Sequence, residues 1–224
     1  MHALNAGAFE QSISVIMNGA DLRRFSPAEP PLRGNNNPFG DQMIFACRQL
    51  FPRKGIRFLI EAIAKLSDKY PNVKLIIAGD GFERPELEKL AKDLRVADRT
   101  TFLGWVANKD LPRYFQGCVV SVIPSLEEGF GIPAAEAMGC DAPVVATDAG
   151  GLPEVVANGV TGFVVPKGDA MALAQAIDRL LGDAQLRLQM GEAGRQRALE
   201  RFDWDRSAEQ FESVYARLGL VGAK

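Results

Sequence analysis

The sequence predicts a protein of the α/β class, with a parallel sheet covered by helices on both faces. Short apolar runs rich in Val and Ile alternate along the chain with longer stretches whose apolar residues recur at helical spacing. The short runs are apolar throughout, which is typical of strands buried on both sides. With 224 residues, of which 47% are hydrophobic and 24% charged, the chain is long enough for one domain with a sizeable core.

Six apolar runs are predicted to form strands, because each is short and is bounded by Gly, Pro or polar residues. The predicted strands are 43–47, 73–79, 100–104, 118–124, 143–147 and 161–166. Helical signals lie between and after them, such as Ile56, Leu59 and Ile63 on one face and Pro85 in a first turn. The predicted helices are 56–69, 85–95, 109–116, 133–138, 153–157, 170–181, 184–201 and 204–218. This order predicts a doubly wound, Rossmann-like sheet, which binds ligands in the crevice at the carboxyl ends of its strands.

The N-terminal part of the chain lacks this alternation. Residues 26–42 hold four Pro, two Gly and three consecutive Asn, which indicates a linker or an exposed loop. Before it, Ile13, Val15 and Met17 alternate with serines, which indicates a short strand or a lead-in segment. We therefore predict a connecting segment and linker at 1–42, the Rossmann-like domain at 43–200 and a final helix within 201–224.

Charge and residue counts exclude several classes of function. The 26 Lys and Arg against 28 Asp and Glu give a net charge of −2, which is not the electrostatic footprint of a nucleic-acid-binding protein. The single histidine, His2, excludes chemistry that needs an internal catalytic or metal-binding His. Cys47, Cys118 and Cys140 are too far apart in sequence for a metal-ligand pair or a disulfide framework, and we interpret them as small buried hydrophobes.

The chain is also expected to lie in a reducing compartment. No apolar run approaches the length that crosses a membrane, and residues 1–11 lack the basic and apolar regions of a signal peptide. The odd number of cysteines agrees with a reducing environment. We therefore expect a cytoplasmic protein, in solution or peripheral at the inner face of the cell membrane.

The loop after the first predicted strand carries two cations. Arg48 and Lys54 flank a short segment that leads into the next helix. A helix N-terminus already favours anions through its free amides and its dipole, so added positive charge there indicates a phosphate site. Solvated loop charge is the alternative, and it is the simpler interpretation for this loop taken alone.

Two glycines follow the second predicted strand. Gly79 and Gly81 permit a tight turn and a close approach of the backbone to a ligand. They resemble the start of a dinucleotide-binding motif, but Arg84 stands at the third small-residue position and no acidic residue ends the next strand. A simple strand-to-helix turn explains them equally well, and the missing features disfavour an NAD-dependent oxidoreductase.

The strongest candidate loop follows the predicted strand 118–124. Glu128 lies beside Gly129 and Gly131, whose small size exposes backbone amides, and Glu136 lies one turn into the helix that follows. A carboxylate accepts both hydroxyls of a vicinal diol, so two of them around phosphate-binding amides suit a ligand with hydroxyls on either side of a diphosphate. Taken singly, each Glu has a structural explanation, as a cap or as a partner of the helix dipole.

A fourth loop, 148–154, resembles the third in having two glycines between a predicted strand and a helix that begins with Pro. Gly150 and Gly151 follow a predicted strand and precede a helix that starts with Pro153. Ordinary turn chemistry with a favourable acidic residue in the first helical turn accounts for this pattern. We therefore assign it no role in binding.

Taken together, these segments resemble the donor-binding domain of retaining GT-B glycosyltransferases of the group 1, or family 4, type. The central motif is S-x-x-E-G-F-G-x-x-x-x-E-A-M at 125–138. Other matching segments are N-G-A-D at 18–21, R-x-x-x-x-x-K-G at 48–55, G-D-G at 79–81, F-L-G-W-V at 102–106, G-G-L-P-E at 150–154, N-G-V-T-G-F-V-V-P at 158–166 and R-F-D-W at 201–204. Their order and spacing make the resemblance far more specific than any one loop.

The resemblance implies a role for each site residue. Arg48 and Lys54 contact the donor diphosphate and assist the leaving nucleotide, Glu128 contacts the donor sugar, and Glu136 holds the ribose hydroxyls. The glycines Gly79 and Gly81 border the donor, the amides of Gly129, Phe130 and Gly131 lie near sugar and phosphate, and the backbone of Trp105 and Val106 faces the nucleobase. The implied substrate is a nucleoside diphosphate sugar, and no metal or other cofactor is required. The acceptor stays open between a glycan, a lipid-linked sugar and a small molecule.

The resemblance also implies that the chain is the C-terminal half of a two-domain fold. Residues 1–42 then connect to an acceptor-binding domain, and the helix at 201–224 crosses back towards it. Relatives usually have Gly at the position of Cys47 and Pro at that of Met17, so Cys47 is expected to crowd the phosphate loop. Without the other domain, the apolar stripe of the last helix predicts self-association or a partner domain. Its members are Trp204, Phe211, Val214, Tyr215 and Leu218.

Overall fold

The computed structural model describes residues 13–32 and 36–218. Six strands form one sheet in the order β3-β2-β1-β4-β5-β6, and every neighbouring pair is parallel. The strands are β1 Met43–Cys47, β2 Lys74–Ala78, β3 Thr100–Gly104, β4 Val120–Ile123, β5 Val144–Thr147 and β6 Gly162–Val165. The order reverses between β1 and β4, and this reversal marks the switch point at which such sheets bind ligands. The predicted doubly wound fold is therefore confirmed.

Eight α-helices are formed within the described residues. They are α1 Ile56–Leu66, α2 Arg84–Asp93, α3 Pro112–Gly117, α4 Ile132–Gly139, α5 Leu152–Val155, α6 Ala170–Gly182, α7 Ala184–Arg201 and α8 Trp204–Arg217. Each corresponds to a predicted helix; α7 has the predicted bounds, and the bounds of the others differ by up to three residues. A shift of three residues occurs at the end of α1 and at the start of α3, where residues before Leu111 form a turn closed by a bond from the Asp110 N–H to the Ala107 carbonyl.

Both faces of the sheet are covered, as the fully apolar strands require. On one face, α1, α2 and α6 pack against side chains such as Ile44, Leu75 and Val145. On the other face, α3, α4, α5 and the end of α7 pack against Phe45 and Ala146. Phe45 is fully buried and lies against the ring of Phe115, with 4.9 Å between the ring centroids.

Part of the predicted connecting segment packs on the domain. Residues 13–19 form no strand, but Ala20 makes a parallel bridge with Asp203. Leu22 and Phe25 are buried in the second core cluster. Arg195 of α7 holds this segment in place, because its Nη1 donates to the carbonyls of Leu22, Phe25 and Gly139. The segment from Ala20 to Phe25 is therefore a structural part of the domain, whereas residues 1–12 and 33–35 of the predicted linker lie outside the described residues.

The last helix lies on the surface. Ser207 of α8 donates a hydrogen bond to the Met17 carbonyl, so α8 runs beside the N-terminal segment. Trp204, Phe211 and Leu218 are 62%, 48% and 65% exposed, and the predicted apolar stripe therefore points away from the core. Among the described helices, none has the length and apolar character that crossing a membrane requires. Residues 219–224 of the predicted final helix lie outside the described part.

The β5–β6 pairing allows a matched test of backbone geometry. Gly162 and Gly159 both have positive φ, of 153° and 77°. A β-carbon at Gly162 would overlap the Val144 carbonyl oxygen, whereas a β-carbon at Gly159 meets nothing within 4 Å. Gly159→Ala should therefore cost about 1–2 kcal/mol of unfolding free energy, the usual penalty for the left-handed conformation. Gly162→Ala should cost clearly more in urea unfolding, and equal losses for the two variants would contradict the described pairing.

Candidate functional site at the switch point

The candidate site lies where the loops after β1 and β4 meet. The carbonyl of Arg53 accepts the N–H groups of Leu126 and Glu127, at 2.8 and 3.2 Å. Gly55, at φ 65°, begins α1 so close to the Pro124 carbonyl that a β-carbon would overlap it. Because main-chain contacts join the two loops, the residues that these loops carry are held at fixed positions.

Three charged side chains converge between these loops. The Lys54 ammonium donates to Oε2 of Glu128 at 2.9 Å, and Nη1 of Arg48 lies 3.4 Å from the same oxygen. The hydroxyl of Ser125 donates to Oε2 as well, at 3.3 Å. The side chain of Arg48 is 4% exposed, that of Lys54 is 14% exposed and that of Glu128 is 12% exposed. The structure thus brings together the three residues predicted to be catalytic.

Arg48 is the most unusual member of this cluster. Its Nε and Nη2 are buried and have no hydrogen-bond partner among the described residues. Burial lowers the pKa of the guanidinium, with Glu128 acting in the opposite direction, yet an arginine stays charged in proteins. A buried cation with two unpaired donors is costly unless a ligand completes its hydrogen bonds. Arg48 also lines a cleft, so a ligand in that cleft can reach it.

Glu128 is ionised in this setting. Burial raises the pKa of its carboxyl, but Arg48 and the bonds from Lys54 and Ser125 together outweigh burial and hold that pKa below its ordinary value. The cluster therefore contains two cations, Arg48 and Lys54, and one carboxylate, Glu128. The remaining positive charge favours an anionic ligand.

The pKa of Glu136 is shifted in the opposite direction to that of Glu128. It lies one turn into α4, and burial raises the pKa of its carboxyl to about 7, although Arg48 and Arg24 lower it. The charge of Glu136 also acts on Cys47, whose thiol pKa is raised to about 12, chiefly by burial. A raised pKa disfavours the thiolate form of Cys47, which is the form that acts as a nucleophile.

Two clefts flank Lys54. The inner cleft, of about 310 Å³, is lined by Cys47, Arg48, Gly79 and Pro133 among others. The outer cleft, of about 510 Å³, is lined by residues that include Glu128 and Gly129. Lys54 lines both clefts, so a ligand that occupies them passes over this ammonium.

The two glycines after β2 allow the loops to approach closely. A β-carbon at Gly79 would overlap the Arg48 carbonyl oxygen, and one at Gly81 would overlap that of Leu50. The Arg48 N–H donates to the Ala78 carbonyl at 2.8 Å. Gly79 lines the inner cleft, but the observed function of both glycines is to hold the loops after β1 and β2 together.

The glycine loop after β4 has one face in the core. Phe130 packs edge-on against Phe202, with 5.6 Å between the ring centroids, so its side chain is a core residue. Gly129 is exposed and open, since a β-carbon there meets nothing within 4 Å. Gly131, at φ 97°, begins α4. Gly129 and the α4 N-terminus are therefore the parts of this loop that a ligand can approach.

The backbone of Glu128 is held in place by the glycine pair after β5, a contact that no sequence pattern indicated. The Gly151 N–H donates to the Glu128 carbonyl at 3.2 Å, and a β-carbon at Gly150 would overlap that same oxygen. The glycine pair assigned to turn chemistry thus fixes the backbone of Glu128. Ser125 was a recognisable signal, because it stands three residues before Glu128 in the quoted motif and bonds to its carboxylate.

The residues after β3 form the rim of the inner cleft. Trp105 and Val106 both line it, and Trp105 is 80% exposed while Val106 packs partly on the core. Within 13–32 and 36–218, no group of three or more His, Cys, Asp or Glu is arranged to hold a metal ion.

The sequence matches one family model over residues 32–197, the model described as glycosyl transferases group 1. It is 34% identical over 218 residues to D-inositol 3-phosphate glycosyltransferase of Corynebacterium urealyticum, with 92% of this chain and 51% of that protein covered. The chain therefore spans about half the length of the curated relatives it matches.

Two solved structures agree with this match. The Anabaena protein HepE, in complex with UDP, superposes with a TM-score of 0.84 at 30% identity, covering 96% of this chain and 60% of that one. The C-terminal domain of the group 1 glycosyl transferase LpcC from Francisella tularensis superposes with a TM-score of 0.74 at 27% identity, covering 83% of this chain and 100% of that one. The fold is thus that of a C-terminal GT-B domain, and the chain belongs to the group 1 glycosyl transferase family.

Proposed function

We propose that this chain supplies the donor-binding half of a glycosyltransferase. The complete enzyme would transfer a hexosyl unit, with retention, from a nucleoside diphosphate sugar to an acceptor. The observation that carries the proposal is Arg48, a buried guanidinium with two unpaired nitrogens beside the ammonium of Lys54. Guanidinium and ammonium groups in this arrangement suit phosphate oxygens, which accept charge-assisted hydrogen bonds.

The chemistry follows from the same two cations. When the glycosidic bond to the diphosphate breaks, negative charge grows on the leaving phosphate. Positive groups that are already fixed in place stabilise that charge without reorganisation, which is a major source of catalysis. We assign this role to Arg48 and Lys54, so that no metal ion is needed for it.

The remaining residues are assigned along the two clefts. We assign the ribose hydroxyls to Glu136, which does not itself line the inner cleft but lies one turn into α4 after Pro133, a residue that does. The backbone at Trp105 and Val106 is assigned to the nucleobase. In the outer cleft, Glu128 contacts the donor sugar, whose phosphate lies near the amides of Gly129 to Gly131. The glycines Gly79 and Gly81 set the distance between the loops around the diphosphate.

The relatives support this assignment of the ligand. HepE has been solved with UDP and with UDP-glucose, and it shares 30% identity with this chain in both complexes. Because the chain covers only about half of such proteins, we place the acceptor-binding part in a separate domain or chain. The base, the sugar and the acceptor, whether glycan, lipid-linked sugar or small molecule, are to be identified by a thermal-shift screen of nucleotides and nucleotide sugars.

The second candidate function is donor binding without transfer. The chain aligns with all of the C-terminal domain of LpcC, and the site residues described above are those of the donor site alone. Donor hydrolysis and sugar transfer should be assayed with and without a separately supplied acceptor-binding domain. Transfer only in its presence supports a split enzyme, and binding with no turnover in either assay supports a binding module.

The phosphate assignment predicts the effect of removing either cation. Arg48→Ala and Lys54→Ala should each weaken binding of the best nucleoside diphosphate by about 10- to 100-fold, as the loss of a charge-assisted hydrogen bond implies. Calorimetry measures this change, and the matched control is Arg57→Ala, which removes an exposed cation of α1 that lines neither cleft. Unchanged affinity in the Arg48 and Lys54 variants would remove the phosphate assignment.

The raised pKa of Glu136 predicts a pH effect on binding. At pH 7 the carboxyl, whose pKa is about 7, is partly protonated, and ribose hydroxyls favour the ionised form. Nucleotide binding near this pH should therefore release protons from Glu136, and affinity should rise with pH up to about 8. Calorimetry in buffers of different ionisation enthalpy should show less proton release for Glu136→Gln than for wild type. Equal release would exclude Glu136 from the ribose contact.

The exposed stripe of α8 predicts self-association. Trp204, Phe211 and Leu218 are exposed, and Tyr215, which is 45% exposed, lies beside Phe211 with 6.4 Å between the ring centroids. Apolar area of this kind favours association when no other domain covers it. Light scattering at high concentration should show a dimer or larger species, and Phe211→Ser with Leu218→Ser should shift it to a monomer. A monomeric wild-type chain would contradict this prediction.

A further inference from the structure

A single oxygen of Glu128 is the contact point for both cations. The Lys54 ammonium, the Arg48 guanidinium and the Ser125 hydroxyl all approach Oε2, at 2.9, 3.4 and 3.3 Å. The Arg48 distance is longer than the 2.7–2.9 Å that is typical of a charge-assisted hydrogen bond. The carboxylate therefore fills the space between the cations without completing the hydrogen bonds of Arg48.

The Glu128 carboxylate occupies the place beside Lys54 and Arg48 that a phosphate would take. Phosphate oxygens that bond to Nε and Nη2 of Arg48 must also approach Lys54, because Lys54 lines both clefts. The Lys54 ammonium is already bonded to Glu128. A diphosphate beside an ionised Glu128 would place like charges within a few ångströms of each other, which is strongly unfavourable away from water.

We propose that Glu128 is an internal counter-ion of the phosphate subsite, and that a diphosphate binds by displacing its carboxylate from Lys54. The inference rests on the proposed function and adds a conformational step to it. The side chain of Glu128 turns from the cation pair into the outer cleft, where the donor sugar is expected. Diphosphate binding thus delivers the carboxylate to the sugar.

The surroundings of Glu128 permit this rotation. Its backbone stays fixed, because the Gly151 N–H bonds to its carbonyl and Gly150 packs on the same oxygen. Its side chain is 12% exposed, and Glu128 lines the outer cleft of about 510 Å³ together with Gly129, so this cleft borders the residue that would turn into it. Arg53 and Lys167 line that cleft too, so a displaced carboxylate enters basic surroundings.

The test compares Glu128→Gln with wild type and with Glu192→Gln. Glu192 is an exposed acid of α7 that lines neither cleft, so its variant has the same change in net charge away from the site. Binding of inorganic pyrophosphate, UDP, GDP and ADP is measured by calorimetry at low ionic strength. Glu128→Gln should bind pyrophosphate and the accepted nucleoside diphosphate about tenfold more tightly, because a competing charge is gone, while Glu192→Gln should match wild type.

Stability without ligand gives an independent readout. Glu128→Gln leaves two buried cations without a counter-charge, so its Tm should fall below that of wild type, and saturating pyrophosphate should remove the difference. If Glu128→Gln does not fold, Glu128→Asp, whose shorter side chain withdraws from Lys54, should show the same changes in smaller measure.

The outcomes separate the two proposals. If wild type binds a nucleoside diphosphate and the Glu128 variants bind it equally or less tightly, the displacement is overturned and the proposed function stands. If neither wild type nor the Glu128 variants bind pyrophosphate or any of the three nucleotides, both are overturned. Equal tightening in Glu192→Gln would assign the effect to net charge and would also overturn the displacement.

Discussion

The structure of the site depends on one constraint, the burial of the Arg48 guanidinium. A buried charge is tolerated only when it is paired and hydrogen-bonded, and Arg48 has a single long contact to Glu128 and two unpaired nitrogens. Its backbone is fixed beside the inner cleft, because β1 continues directly into Arg48 and the Arg48 N–H donates to the Ala78 carbonyl. The fold therefore holds a buried guanidinium whose hydrogen bonds an anion must complete. The Glu128 carboxylate supplies one long contact, and a phosphate would also bond to the two unpaired nitrogens.

Rigidity at this edge of the sheet comes from glycines placed against carbonyl oxygens. Gly79 lies against Arg48, Gly55 against Pro124 and Gly150 against Glu128, each too close for a β-carbon. Loops after neighbouring strands are thus in van der Waals contact through their backbones. Side chains at these positions would separate the loops and with them the charges. The same contacts explain why the backbone of Glu128 is fixed while its carboxylate has free space on one side.

Much of the fold was predictable because its signals are local. Buried parallel strands are apolar throughout, and each predicted run, such as 73–79, contains a strand of the sheet. The residue types of the site were predictable for the same reason, since Arg48 and Glu128 follow strands directly. The pairing of Lys54 with Glu128 was not, because 74 positions separate them and only the sheet order brings them together. Phe130 was assigned with its loop, yet its side chain packs on Phe202, a contact that no local pattern encodes.

The division of the enzyme into halves follows from what each step requires. Binding a diphosphate needs fixed cations and amides, and this chain has them at the ends of β1 and β4. Transfer also requires that water be kept from the reacting carbon, since water competes with the acceptor. The outer cleft, to which the donor sugar is assigned, includes the exposed Gly129, so the site of this half is open to solvent beside the sugar. On the proposed function, the acceptor-binding half must therefore supply closure as well as the acceptor, and a donor held by this chain alone is exposed to hydrolysis rather than transfer.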